Sequence, residues 1–199
     1  LGIARGEPGA DERVWAERPA GGEVLRAARE LDLPPDYTTE LHLAAQGLVR
    51  SLGDVLERGI VVLIDYGFIR REYYHPQRDR GTLMCHYRHH VHDDPLALIG
   101  LQDLTAHVDY SALAAAAHDT GLEILGYASQ ARFLVNCGVL DLLAAIPPDD
   151  TVRYAKAASA VQKLLSPSEM GELFKVIAFG RGVRGTLLGF ASGDRRATL

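Results

Sequence analysis

The sequence predicts an α/β protein: the second half of an open sheet, with a late antiparallel strand and helical insertions. Three observations carry that reading. Short aliphatic runs, "IVVLI" at 60–64, "LEILGY" at 122–127 and "FKVIAFG" at 174–180, alternate with stretches whose apolar residues recur every three or four positions. Glycines or capping residues punctuate the junctions between them. The resulting order (helix, strand, long irregular segment, helix, strand, helices, strand, strand) is that of the later part of a doubly wound sheet.

The first element is a helix over 37–58, where Leu41, Ala45, Leu48, Leu52, Val55 and Leu56 line one face and Gly59 supplies the stop. "IVVLIDYG" at 60–67 follows at once and reads as a strand of the parallel type, buried on both faces. Its carboxyl end delivers Asp65, Tyr66 and Gly67. The segment 68–100 is polar, aromatic and without period, as in a functional loop or a disordered one. In "VDYSALAAAAHDTG", Asp109 can cap a helix that Gly121 ends. "LEILGY" is the next strand. "SQARFLVNCG" is a helix from Ser129 to Gly138, and "DDTVRYAKAASAVQKLLSP" a longer one, opened near Asp149 and stopped before Pro167. "FKVIAFG" and "TLLGFAS" then read as two strands, antiparallel to each other, joined by the "RGVRG" turn.

Composition narrows the function. The 199 residues amount to one domain, and a formal net charge of −5 argues against a nucleic-acid partner, which needs a clustered basic face. The two cysteines, Cys85 and Cys137, form neither a disulfide framework nor a CxxC knuckle, so both thiols are expected free in a reducing compartment. No apolar run approaches the roughly 20 residues of a membrane span. The opening "LGIARGEPGADERVW" is polar and glycine-containing, lacks an initiator methionine, and suggests a piece of a longer chain.

In open α/β sheets, chemistry gathers beyond the carboxyl ends of the parallel strands, which points first to Asp65, Tyr66 and Gly67. The second candidate is "CHYRHHVHDDP" at 85–95, which holds His86, His89, His90 and His92. Zinc or iron would want imidazoles and carboxylates on one face; His86 and His90 could share a helical face, and His86, His90 and His92 one side of a strand, but the stretch lacks helical apolar periodicity and no HExxH or paired CxxC accompanies it, so no metal is expected. The alternatives are a loop held by its own histidines and aspartates, and contact with a substrate or cofactor.

Five blocks in order, "LIDYGF" at 63–68, "GTLMCHYRHHVHDDP" at 81–95, "GLQDLTAHVDYSAL" at 100–113, "SQARFLVNCGV" at 129–139 and "SPSEMGELFKVIAF" at 166–179, resemble the C-terminal half of the MidA-type methyltransferases. Mitochondrial members of that family are complex I assembly factors that methylate an arginine on a core subunit. The resemblance implies a class I, Rossmann-like fold using S-adenosylmethionine. It also implies that the glycine-rich loop and most cofactor-binding residues lie before Leu1. Residues 1–36 would then be a loop and short helix continuing from an upstream half, and 37–199 the C-terminal part of the methyltransferase domain. A protein acceptor is implied, by analogy a respiratory-complex subunit, in the cytoplasm of a bacterium or the mitochondrial matrix of a eukaryote; a homo-oligomer is compatible with it. His89, His92 and Asp94 match the family's motif positions and would order a loop over the acceptor site. Ile99 departs from it, standing where relatives commonly have proline.

Arginine methylation needs carboxylates that grip a planar guanidinium and a wall that keeps out water. Asp65, Asp103 and Asp109 qualify by residue type, with Tyr66 as the wall. Each carboxylate also has a structural reading, an N-cap for Asp109 and an Asx turn for Asp103. Two rivals remain: a non-catalytic assembly or scaffold protein that keeps the fold and binds a partner through 68–100, and a His/Asp metal-dependent hydrolase.

Overall fold

A computed structural model describes residues 2–5 and 13–199, with side chains from Arg13 onward. In chain order the strands and α-helices are β1 (Gly2–Arg5), β2 (Arg13–Ala16), α1 (Gly22–Glu30), α2 (Leu43–Val55), β3 (Gly59–Phe68), α3 (Arg70–Tyr73), β4 (Met84–Tyr87), β5 (His90–His92) and β6 (Asp103–Thr105). There follow β7 (Val108–Asp109), α4 (Tyr110–Asp119), β8 (Glu123–Ser129), α5 (Gln130–Asn136), α6 (Val139–Ala144), α7 (Thr151–Leu165) and β9 (Phe174–Arg181). They fall into two compact units, the first made of residues 1–43 and 74–106, the second of 44–73 and 107–199.

In the first unit β1 and β2 pair antiparallel, and β4 sits between β5 and β6 in a three-stranded antiparallel sheet. The irregular segment expected over 68–100 therefore contains real strands. Arg88 and His89 join β4 to β5 with φ of 47° and 68°, a two-residue turn with both residues left-handed, the type whose twist matches a hairpin. Glu40 ties the unit together: its carboxylate accepts the Thr82 amide at 3.0 Å, the Leu83 amide at 2.9 Å and the Thr82 hydroxyl at 3.1 Å. Gly81, at φ +79°, brings the backbone so near this carboxylate that a Cβ would collide with it.

In the second unit the sheet order is β7-β3-β9-β8. The last strand, β9, lies antiparallel between β3 and β8, while β7 runs parallel to β3. One face carries Ile177 and Phe179 of β9 against Val49 of α2 and Tyr110, Leu113 and Ala117 of α4. On the other face Val176 and Ala178 pack with Leu125, Ala128 and Phe190. Arg181 clamps the edge by donating to the carbonyls of Gly53, Leu56 and Thr120, which satisfies chain ends of α2 and α4.

Several expectations need correction. β3 is not buried on both faces: Ile60, Val62 and Ile64 are 41%, 45% and 49% exposed, and the strand's long pairing is antiparallel, with β9. The helix expected over 37–58 spans Leu43–Val55, and its core face runs through Ala45, Val49 and Leu56, leaving Leu48 and Val55 exposed. "TLLGFAS" forms no strand; it turns through a 3-10 segment, Leu188–Phe190, that drives Phe190 into the core. Gly126 makes room for it, since a Cβ there would stand 2.2 Å from the Phe190 ring. A helix not foreseen, α6, follows the left-handed Gly138. Among the described residues no helix is long and apolar enough to cross a membrane.

Candidate functional site

The carboxyl end of β3 owes its position to the antiparallel register, which sets Asp65 opposite Lys175 and Tyr66 opposite Phe174. Asp65 is exposed, and its Oδ1 accepts the Tyr66 amide at 2.8 Å, which fixes the carboxylate's rotation. Beneath it, the Tyr110 hydroxyl accepts the Asp65 amide at 3.1 Å and shares its proton between the carbonyls of Asp65, at 2.8 Å, and Lys175, at 2.9 Å. That hydroxyl pins the two strands together under the carboxylate. Burial, with the Asp65 charge adding to it, pushes the Tyr110 phenol far up, so it stays a neutral donor.

A set of half-buried rings gathers at Tyr66, the next residue of the strand. Tyr66 meets His107 edge-on at 5.2 Å and Phe174 at 5.5 Å between ring centroids. His107 stacks on Phe68 at 5.0 Å. The Lys175 ammonium, on a residue only 7% exposed, lies 6.0 Å from the Phe68 centroid and donates to the carbonyls of Glu172 and Leu173. Burial pulls its pKa below the usual lysine value, against the opposing pull of Glu172 and Glu72. An exposed carboxylate whose rotation is fixed is a group that receives cations through charge and hydrogen bonding.

The remaining sequence candidates fall elsewhere. Asp109 also belongs to the second unit, but at 2% exposure it caps α4, its Oδ1 accepting the Ala112 amide at 3.1 Å. His89, His92, Asp94 and Asp103 belong to the first. His89 occupies the left-handed turn between β4 and β5, and Asp94 Oδ1 accepts the Leu96 amide at 2.9 Å, an Asx turn. Asp103 lies in β6 opposite His86. His92 stands opposite the buried Cys85 with its Nε2 buried and without a hydrogen-bond partner among the described residues. The Cys85 thiol is pushed up by burial and, further, by the Asp94 and Asp93 charges, which keeps it protonated. Among the described residues no three His, Cys, Asp or Glu side chains are grouped to hold a metal. His107, Phe174 and Lys175 were not among the sequence candidates; the one signal was a lone lysine inside an otherwise apolar strand, "FKVIAFG".

An open α/β sheet with its final strand reversed between two others is the Rossmann-like architecture of class I methyltransferases. The chain belongs to the family whose model carries the description "Putative S-adenosyl-L-methionine-dependent methyltransferase", matched over residues 11–128. It is similar to a crystal structure of a superfamily member from Burkholderia thailandensis bound to S-adenosyl-homocysteine, at 51% identity and a TM-score of 0.91, over 99% of this chain and 51% of that one. A native crystal structure of an uncharacterized superfamily protein from the same organism matches with the same identity and TM-score, over 99% of this chain and 52% of that one. The chain thus spans about half the length of the solved structures it matches. No curated protein matches.

Proposed function

We propose that this chain contributes the acceptor side of an S-adenosylmethionine-dependent protein methyltransferase, with arginine as the acceptor. The observation that carries the reading is the exposed Asp65 carboxylate at the carboxyl end of β3, its Oδ1 held by the Tyr66 amide and its backbone by the Tyr110 hydroxyl. The five ordered sequence blocks support reading the chain as the C-terminal portion of a MidA-type enzyme, and a chain that spans about half of each solved relative is compatible with that reading. By the same analogy the acceptor is a respiratory-complex subunit, reached in a bacterial cytoplasm or a mitochondrial matrix.

Two glycines of the sheet are filled by the chain's own atoms, Gly67 by the backbone of Val108 and Gly126 by Phe190, so neither opens toward a ribose. When bound, the cofactor supplies an electrophilic methyl group on a sulfonium. The chain's part is to present a guanidinium to it. Oδ1 of Asp65 is committed to the Tyr66 amide, and the remaining carboxylate lone pairs receive guanidinium N–H groups, drawing positive charge toward the nitrogens that do not react. Asp109 serves by capping the helix that carries Tyr110.

The experiment is isotopic. The intact protein is incubated with S-adenosylmethionine bearing a deuterated methyl group and with proteins from cells lacking it, and the products are read by peptide mass spectrometry. Label on arginine is expected. Label confined to lysine, to carboxyl groups or to small molecules would contradict the arginine assignment.

A further inference from the structure

Three neighbouring strands of the second unit share one row of residues. Lys175 of β9 stands opposite Asp65 of β3 on one side and Ser129 of β8 on the other, and both flanking strands run antiparallel to β9, so Asp65 and Ser129 lie toward the same, carboxyl, edge of the sheet. Two strand spacings put their backbones roughly 10 Å apart. At Ser129 opens a cavity of about 310 Å³ whose lining includes Ser129, Arg132, Val135, Leu165, Glu172 and Arg195, all of the second unit. That volume is at the low end for ligand pockets and suits a side chain rather than a nucleoside. Its charges do not cancel. Arg195 donates to the Glu172 carboxylate across 3.4 Å, whereas Arg132 has no ion pair among the described residues. Two guanidiniums against one carboxylate leave one positive charge in excess. Ser129 is 1% exposed, and its hydroxyl makes no hydrogen bond to the helix it precedes, which leaves a donor at the wall. The walls are held in place. Gly193, at φ +69°, leaves the room that the Arg132 side chain fills, since a Cβ there would stand 2.7 Å from its Cγ. Gly171 lies too close to the Leu165 carbonyl for any Cβ and accepts the Ala131 amide at 3.0 Å.

We propose that this cavity is a second acceptor subsite, one that takes the carboxylate of a glutamate about three positions away from the arginine received by Asp65. The proposal rests on the arginine-acceptor reading and narrows it to arginines with an acidic neighbour. One excess positive charge matches a carboxylate better than a phosphate dianion. Arg132 and the Ser129 hydroxyl supply the donors, and Val135 and Leu165 supply apolar wall for the methylenes. Lys175, between the two sites, does not compete for the carboxylate, because it is 7% exposed and its ammonium donates to the carbonyls of Glu172 and Leu173. An extended peptide advances about 3.3 Å per residue, so three residues cover the roughly 10 Å from Asp65 to Ser129. An exposed carboxylate alone would accept many arginines, whereas a second charged contact at a fixed distance selects among them.

Its test is binding of short peptides to the intact protein, read by saturation-transfer NMR on the peptide. The probes are acetyl-Arg-Gly-Gly-Glu-amide, the same peptide in reverse order, and the glutamine counterpart of each. In one of the two orders the glutamate peptide is expected to bind at least about threefold more tightly than its glutamine counterpart, the weight of a partly exposed charge pair. Arg132→Gln, at an exposed position outside any ion pair among the described residues, should erase that difference without changing the glutamine peptide's affinity. Asp65→Asn should instead weaken the glutamate and glutamine peptides alike. Equal affinity of the two in both orders, a preference for glutamate that survives Arg132→Gln, or no binding of any probe would overturn the subsite. The two readings fail separately. A glutamate preference that depends on Arg132 but is joined by indifference to Asp65→Asn would keep the carboxylate site and remove the arginine assignment, whereas sensitivity to Asp65→Asn with no glutamate preference would do the reverse.

Discussion

A single hydroxyl organises the site's foundation. Tyr110 serves Asp65 and Lys175 at once, so Tyr110→Phe removes a partner from three backbone groups and is expected to cost about 1–3 kcal/mol at neutral pH, measured by denaturant unfolding. The same residue sets a pH dependence. Tyr110 and Tyr127 both have pKa values raised above the unfolded 10.0 by burial, so their contribution is fully present below pH 10 and is lost as pH climbs toward the folded values. Stability of the wild type should therefore fall above pH 10, and Tyr110→Phe should make that fall shallower. Lys175 runs the other way, its lowered pKa favouring the fold above 10.5 and costing stability as pH falls through the folded value. At this scale the sequence was partly legible. Asp65 was singled out because a strand's carboxyl end is a place physics favours for chemistry, and the structure sets it exposed at the end of β3; Asp109 was recognisable as a cap. The partners of Tyr66 were not legible, because His107 and Phe174 lie 41 and 108 positions further along the chain and meet it only through the sheet's register.

Elements were legible where local chemistry decides them. Helix α4 begins at its capping aspartate, and α7 at Asp150, whose side chain accepts the Arg153 amide at 3.1 Å. They were misread where a distant contact decides. "TLLGFAS" has strand composition, but Gly189 against Phe133 and Phe190 over Gly126 set its conformation instead. The hairpin of β4 and β5 was missed for a different reason: its turn is Arg88-His89, whereas left-handed pairs usually announce themselves as Asn-Gly. That departure yields a prediction. His89→Gly relieves a left-handed φ at a non-glycine residue and should stabilise the first unit by about 1 kcal/mol, seen as a higher melting temperature. If His89 also orders the acceptor, the variant should raise the acceptor's KM in the intact protein while it raises stability. Unchanged KM would reduce the histidine to a turn residue.

At the scale of the whole molecule, the sheet's reversed last strand and the match to S-adenosylmethionine-dependent methyltransferases agree, while the sheet glycines Gly67 and Gly126 are filled by the chain's own atoms. Adenosyl cofactors are commonly held by backbone amides at a glycine-rich turn and by a carboxylate on the ribose. Calorimetry with S-adenosyl-homocysteine should accordingly detect little or no binding to this 199-residue chain by itself. Micromolar binding would mean that the chain holds a cradle of its own. The central claim, that Asp65 positions the methyl acceptor, is tested most directly by Asp65→Asn in the intact protein. Asparagine keeps the shape and can still accept the Tyr66 amide, so the fold and the affinity for S-adenosyl-homocysteine should not change. The account predicts a loss of at least about tenfold in kcat/KM for the arginine acceptor, the weight of a charge-assisted contact; methyl transfer at the wild-type rate would contradict it.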